Sequence, residues 1–159
     1  MPTIEVLTFI NAQQARCFQL ALSMDLHTIS AIQTQEKIVG GVRSSVLQLG
    51  DSVTFRARHF GVWQTLTSKV TEYEDPVYFC DEMQRGAFKR MRHEHYFESH
   101  GSGTLMRDVF EFVSPLVWLG SIVDALVLKW YLRRFLVEWG REVKHYAESG
   151  QWRAVLPTQ

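Results

Sequence analysis

At 159 residues, with 46% hydrophobic and 21% charged side chains, the chain fits one domain with a substantial core and is short for two. Its formal net charge of zero argues against broad nucleic-acid binding, which needs a basic surface to displace counterions from phosphates. Cys17 and Cys80 are too sparse for a disulfide framework or a zinc-site spacing, so they are expected to be reduced thiols of a cytoplasmic protein.

Ile4 to Ile10 reads as a first strand, and the segment before it lacks the basic start and long apolar run of a signal peptide. Asn11 is expected to cap a helix whose apolar residues Ala15, Phe18 and Leu22 recur at helical spacing. Ser23 starts a second short helix through His27. A strand over Ser30 to Val39 follows, broken by Gly40-Gly41. From there the pattern is a meander. Val53 to Phe60 and Val62 to Tyr73 are strands joined at Gly61, and Asp75-Pro76 turns the chain. Strands over Val77 to Met83, Phe88 to Ser99 and Thr104 to Val113 complete the sheet.

Pro115 then admits a long helix, about Val117 to Ala147, with an apolar stripe of Leu119, Ile122, Val123, Leu126, Trp130 and Val137. Its most hydrophobic part, Leu116 to Leu132, is interrupted by Asp124 and Lys129 and falls short of the ~18 apolar residues of a membrane span. Residues 1–148 are expected to form one domain, with 149–159 a loosely ordered tail. The basic clusters Lys89, Arg90, Arg92 and Arg133, Arg134 read as solvated faces. An antiparallel sheet of about seven strands with one amphipathic closing helix must curl around it to bury both apolar faces. The expected class is therefore α+β, a helix grip enclosing a space between sheet and helix.

The order of elements resembles the START and birch-pollen-allergen superfamily, SRPBCC, and within it bacterial ligand-binding proteins labelled cell-division inhibitors or polyketide cyclase-like. The residues carrying the resemblance are Val53-Thr54-Phe55-Arg56-Ala57 with Phe60-Gly61, Phe79-Cys80-Asp81-Glu82-Met83, and Gly86-Ala87-Phe88. His93-Glu94-His95-Tyr96-Phe97, Gly103-Thr104-Leu105-Met106-Arg107-Asp108 and the entry Pro115 to Gly120 continue it. The resemblance spans Ile4 to about Tyr146. It implies the helix-grip fold, and it leaves the chemistry open because the superfamily hosts carriers, receptors and cyclases.

Strand alternation indicates which side chains point inward. Met91, His93, His95 and Phe97 share one face of a strand, and Met106, Asp108, Phe110 and Phe112 share one face of the next. If Ser99 faces Thr104 across the hairpin, His95 falls opposite Asp108, Phe97 opposite Met106, and His93 opposite Phe110. The same parity brings His59 and Asp81 inward. A polar set on an inward face is costly unless partnered, and three readings follow. His-x-His with carboxylates suits a divalent metal, although the sequence fixes no third ligand. A His95–Asp108 dyad suits general-base catalysis in a cyclase or dehydratase acting on an apolar carbonyl compound. Satisfied polar residues could instead brace the sheet and line one end of a ligand cavity.

The reading adopted is binding of a small apolar molecule, lined by Phe55, His59, Phe79, Asp81, His93, His95, Phe97, Met106, Asp108, Phe110, Leu126 and Trp130. No cofactor or metal is expected. The expected partner is a small apolar ligand, with no nucleic acid and no membrane span, and a homodimer as the oligomeric option. Cys80 has no activating partner and reads as structural. His27 and His145 are expected to be exposed.

Overall fold

The computed structural model describes residues 2–30, 35–43, 45–114 and 121–157, with the side chains of 121–125 excepted. Strand β1 (Thr3–Ile10) is followed by helices α1 (Gln14–Ala21) and α2 (Met24–Ser30). Six strands come next: β2 (Lys37–Gly41), β3 (Ser52–His59), β4 (Val62–Glu74), β5 (Tyr78–Arg85), β6 (Arg90–His100) and β7 (Gly103–Val113). The long helix α3 (Ser121–Glu148) and a single turn, α4 (Trp152–Val155), end the chain. All neighbouring strands are antiparallel, in the order β1-β7-β6-β5-β4-β3-β2, so the first strand pairs with the last. This is the helix grip that the pattern predicts.

Local chemistry sets the hairpins and the curvature. Phe60 and Gly61 link β3 to β4 with φ of +51° and +78°, the twist-compatible form of a two-residue turn. Glycine adopts this backbone freely, whereas Phe60 is strained there. Its ring lies 4.7 Å from that of Tyr131 on α3, and this packing offsets the strain. Register shifts in β4 at Thr67/Ser68 and Val70/Glu72, and in β2 at Ile38/Gly40, bend the sheet toward the helix. On the outer face Arg92 reaches Glu72, Glu94 and Glu82 at 2.8, 3.1 and 3.4 Å, so part of one basic cluster is spent in ion pairs.

Two apolar clusters fill the grip at its ends. One centres on Phe18 of α1, whose ring meets Tyr73, Phe79 and Phe97 edge-on at 5.3–5.7 Å. The other joins Ile4, Val6, Met91, Phe110, Phe112 and Leu136. Helix α3 crosses β1 closely at Gly140, where a Cβ would lie 2.5 Å from Thr8 Oγ1.

Several expectations are corrected. Helix α1 begins after Gln13, not at Asn11, whose backbone N–H instead donates to Glu148 at the end of α3. Its buried residues are Cys17, Phe18, Leu20 and Ala21, while Ala15 is exposed. Ser23 does begin α2, with its hydroxyl accepting from the Leu26 N–H at 3.2 Å. Residues 150–157 are not loose: Val155 and Leu156 are buried, and Ser23 Oγ donates to the Val155 carbonyl at 2.8 Å. Strand β2 begins at Lys37 rather than at Ser30, which closes α2. The expected path over 31–34, and the helix entry at 115–120 with Trp118 and Leu119, lie outside the described residues, as do the side chains of Ile122 and Val123.

Candidate functional site

Between the two clusters the sheet and helices leave a cavity of about 530 Å³. Strand β3 contributes Val53, Phe55, Ala57 and His59, and β4 contributes Leu66, Ser68 and Val70. From β5, β6 and β7 come Phe79, Asp81, Met91, His93, His95 and Phe110. Helix α3 closes it with Val127, Leu128, Tyr131, Leu132, Phe135, Leu136 and Trp139, and α2 adds Met24 and His27. Most of this wall is aliphatic or aromatic, and the ionisable groups Asp81, His93 and His95 gather on β5 and β6.

The gathering follows from register. His95 pairs with Asp108 across β6 and β7, His93 with Phe110, Phe97 with Met106, and Asp81 with His93 across β5 and β6. Two carboxylates thus flank two imidazoles. His95 Nδ1 lies 2.7 Å from Asp108 Oδ1, and its Nε2 lies 3.2 Å from Asp81 Oδ1. His93 Nε2 lies 3.4 Å from Asp108 Oδ1, and its Nδ1 lies 3.9 Å from Asp81 Oδ1. Asp108 is wholly buried and His95 nearly so. Ser68 Oγ donates to the second Asp81 oxygen at 2.6 Å. Phe79 stacks on His95 at 4.1 Å and Phe110 meets His93 edge-on at 5.2 Å.

The contacts around Asp108 are short but poorly aligned. His93 Nε2, His95 Nδ1 and both Asp108 oxygens have no aligned hydrogen-bond partner among the described residues. Burial alone would lower the His95 pKa, but Asp108 and Asp81 outweigh it and raise it to about 9. Burial would raise the two carboxyls, yet the imidazoles hold Asp108 and Asp81 below the usual carboxylate range. Burial lowers His93, and the neighbouring His95 charge adds to this. Near neutral pH the cluster therefore carries two carboxylates against one imidazolium, a net negative charge buried in an apolar wall.

Of the residues expected around a ligand, Phe55, His59, Phe79, Asp81, His93, His95 and Phe110 do face the cavity. Phe97 and Met106 do not: both are buried in the cluster beneath α1. Asp108 sits behind the two imidazoles as a second layer. Leu126 and Trp130 are corrected outright, since each is 62% exposed and points away from the sheet. The helix has apolar residues on several faces, so periodicity alone does not fix its phase, and the gripping face runs through Tyr131, Phe135 and Trp139.

Four participants stand outside the expected lining. Ser68 was readable from the alternation Leu66, Ser68, Val70. Tyr131, which hydrogen-bonds His59 Nδ1 at 2.7 Å, and Trp139 lie on the helix face misassigned above. His27, expected to be exposed, stacks on Trp139 with centroids 4.0 Å apart and faces the cavity. Burial pulls its pKa down to about 4. Cys80 fits its structural reading: it is buried, and burial pushes its thiol up to about 12.

No protein-family model matches the chain, and no curated protein matches it by sequence. Solved structures do. A protein from Thermus thermophilus superposes with a TM-score of 0.70 at 14% identity, covering 89% of this chain and 97% of that one. The major latex-like protein 151 of Panax ginseng gives 0.66 at 13% identity, covering 93% and 98%. A START superfamily protein from Mycobacterium smegmatis gives 0.67 at 12% identity, covering 92% and 97%. No helix among the described residues is long and apolar enough to cross a membrane. Likeness at this identity is a likeness of architecture: the helix grip described above is the fold this chain shares with the latex-like protein and the START superfamily protein.

Proposed function

We propose that this protein binds one small, largely apolar molecule in the cavity between the sheet and α3, with the molecule's polar end set against Asp81, His93 and His95. The cavity carries the reading. Its volume of about 530 Å³ lies within the roughly 300–1,000 Å³ of small-molecule sites, and its wall is mostly apolar, with Asp81, His93 and His95 converging at one place. Apolar contact supplies most of the affinity, at about 25 cal/mol per Å² removed from water.

The polar end decides which head group fits. A buried cluster with net negative charge repels a carboxylate. A hydroxyl can donate to Asp81, and a carbonyl can accept from the His95 Nε2–H where it shares that proton with Asp81. Neutral alcohols, phenols and ketones are therefore favoured over fatty acids of equal length. Because its two carboxylates keep His95 protonated at neutral pH, it acts as a donor there, which favours anchoring over the general-base step a cyclase or dehydratase needs. The test is displacement of a fluorescent apolar probe by matched long-chain alcohols, ketones and carboxylates. Displacement ordered with the carboxylate weakest is expected. No probe binding, or a carboxylate preference, would overturn the reading.

A further inference from the structure

The Asp108 contacts do not fit a simple bracing network. A closed network aligns its hydrogen bonds, because each buried polar atom left without one costs about 1–3 kcal/mol. Here four such atoms sit together: His93 Nε2, His95 Nδ1 and both oxygens of a wholly buried aspartate. Meanwhile the opposite nitrogens, His93 Nδ1 and His95 Nε2, both turn toward one oxygen, Asp81 Oδ1, at the cavity wall. Each imidazole thus has one nitrogen facing Asp81 and the other facing Asp108.

We infer that Asp81 Oδ1, His93 Nδ1 and His95 Nε2 form a binding site for a divalent transition ion such as Zn²⁺, with Asp108 as the residue that positions both imidazoles. Three observations carry this. The three ligand atoms lie within 4.8 Å of one another, and two of the separations are 3.2 and 3.9 Å. A tetrahedral ion with bonds of about 2.0–2.1 Å holds its ligands roughly 3.3 Å apart, so Asp81 and His95 already match that spacing and closure needs His93 to move inward. Ligating histidines characteristically donate their far N–H to a carboxylate. Asp108 lies 2.7 Å from one far nitrogen and 3.4 Å from the other. Ser68 meanwhile fixes the second Asp81 oxygen, leaving Oδ1 for the ion.

On binding, the ion takes the lone pairs of His93 Nδ1 and His95 Nε2 and a carboxylate oxygen, and the proton held between His95 Nε2 and Asp81 leaves to solvent. Three protein ligands leave a coordination position open, and all three residues line the cavity. It would take an oxygen donor, a hydroxyl or carbonyl, on an apolar molecule. This inference goes beyond the ligand-binding reading and does not require it.

The test uses the full chain, stripped with EDTA and dialysed. Titration with Co²⁺, followed by visible absorption, and with Zn²⁺, followed by calorimetry, should show about one ion per chain and the intense bands of low-coordinate Co²⁺. His95→Ala and Asp81→Ala should abolish this binding while circular dichroism stays native. Asp108→Asn should weaken it by roughly 10–100-fold, as expected for a positioning residue. Wild-type protein that takes up no stoichiometric ion, or binding undiminished in His95→Ala, would overturn the inference. Should a variant fail to fold, the wild-type Co²⁺ spectrum still decides. Binding of the apolar probe by the same metal-free protein separates failure of this site from failure of the cavity.

Discussion

Replacing Asp108 by Asn tests the buried charge cluster through a pH signature that ordinary damage to the core would not produce. The substitution keeps the size of the side chain and removes the anion 2.7 Å from His95 Nδ1. Breaking a buried charge pair costs about 3–5 kcal/mol. Part of that is proton-linked. His95 has a folded pKa of about 9 against an ordinary 6.5, so the proton it retains at pH 7 stabilises the fold by roughly 2–3 kcal/mol. Because the folded pKa is raised, this contribution is fully present below pH 6.5 and is lost as pH rises through about 9. Asp108→Asn should therefore be penalised most at pH 6–7, and the penalty should fall by up to that proton-linked share by about pH 10. Urea unfolding of both proteins across that range measures it, and thermal unfolding should show a fall in Tm of about 6–20 °C near neutrality. Alkaline titration of the thiols and tyrosines is common to both proteins and cancels in the difference. A penalty that stays constant from pH 6 to 10 would refute the reasoning.

Further outcomes follow from the same packing. Phe79→Ala removes a buried ring that stacks on His95 and meets Phe18, and should cost about 3–5 kcal/mol in chemical denaturation. Gly140→Ala forces a Cβ to 2.5 Å from Thr8 Oγ1; it should destabilise by about 1–3 kcal/mol even though alanine is the better helix former. His27 has a depressed folded pKa of about 4. Stability should therefore be intact above pH 6.5 and fall as pH drops toward 4, by about 3 kcal/mol from this group alone. His27→Phe, which keeps the stack on Trp139, should flatten the acid limb of the stability curve; an unchanged limb would count against the buried neutral imidazole. Cys17 and Cys80 are both fully buried, so neither should react with a thiol reagent until the protein unfolds.

The sheet was far more legible than the helix that grips it. Side chains on a strand alternate with a period of two, and a hairpin turn fixes register. His95 opposite Asp108 therefore followed from the spacing of His93, His95 and Asp108 around one short turn. Asp81 was placed by the same parity one strand further on. Helix α3 offers no such clock. Leu126, Val127, Leu128, Trp130, Tyr131 and Leu132 are apolar in near succession, and several phases bury about as much. The neighbours decide: Gly140 lets the helix press on β1, and that contact turns Tyr131, Phe135 and Trp139 inward and Leu126 and Trp130 outward. His27 was missed for a related reason. A seven-residue helix carries too few apolar positions to define a face, and its burial comes from Trp139, more than a hundred residues away in the chain. The division between Asp81 at the cavity wall and Asp108 behind the imidazoles was likewise invisible, because parity puts both inward and only depth separates them.

Native mass spectrometry of the full chain, before and after incubation with long-chain alcohols and ketones, tests the central claim most directly. The account predicts a one-to-one complex with a neutral apolar molecule. Ala57→Phe should suppress it while leaving the fold intact, since that substitution places a ring inside the cavity. Wild-type protein that stays empty against the whole panel, or a complex that survives Ala57→Phe undiminished, would contradict it.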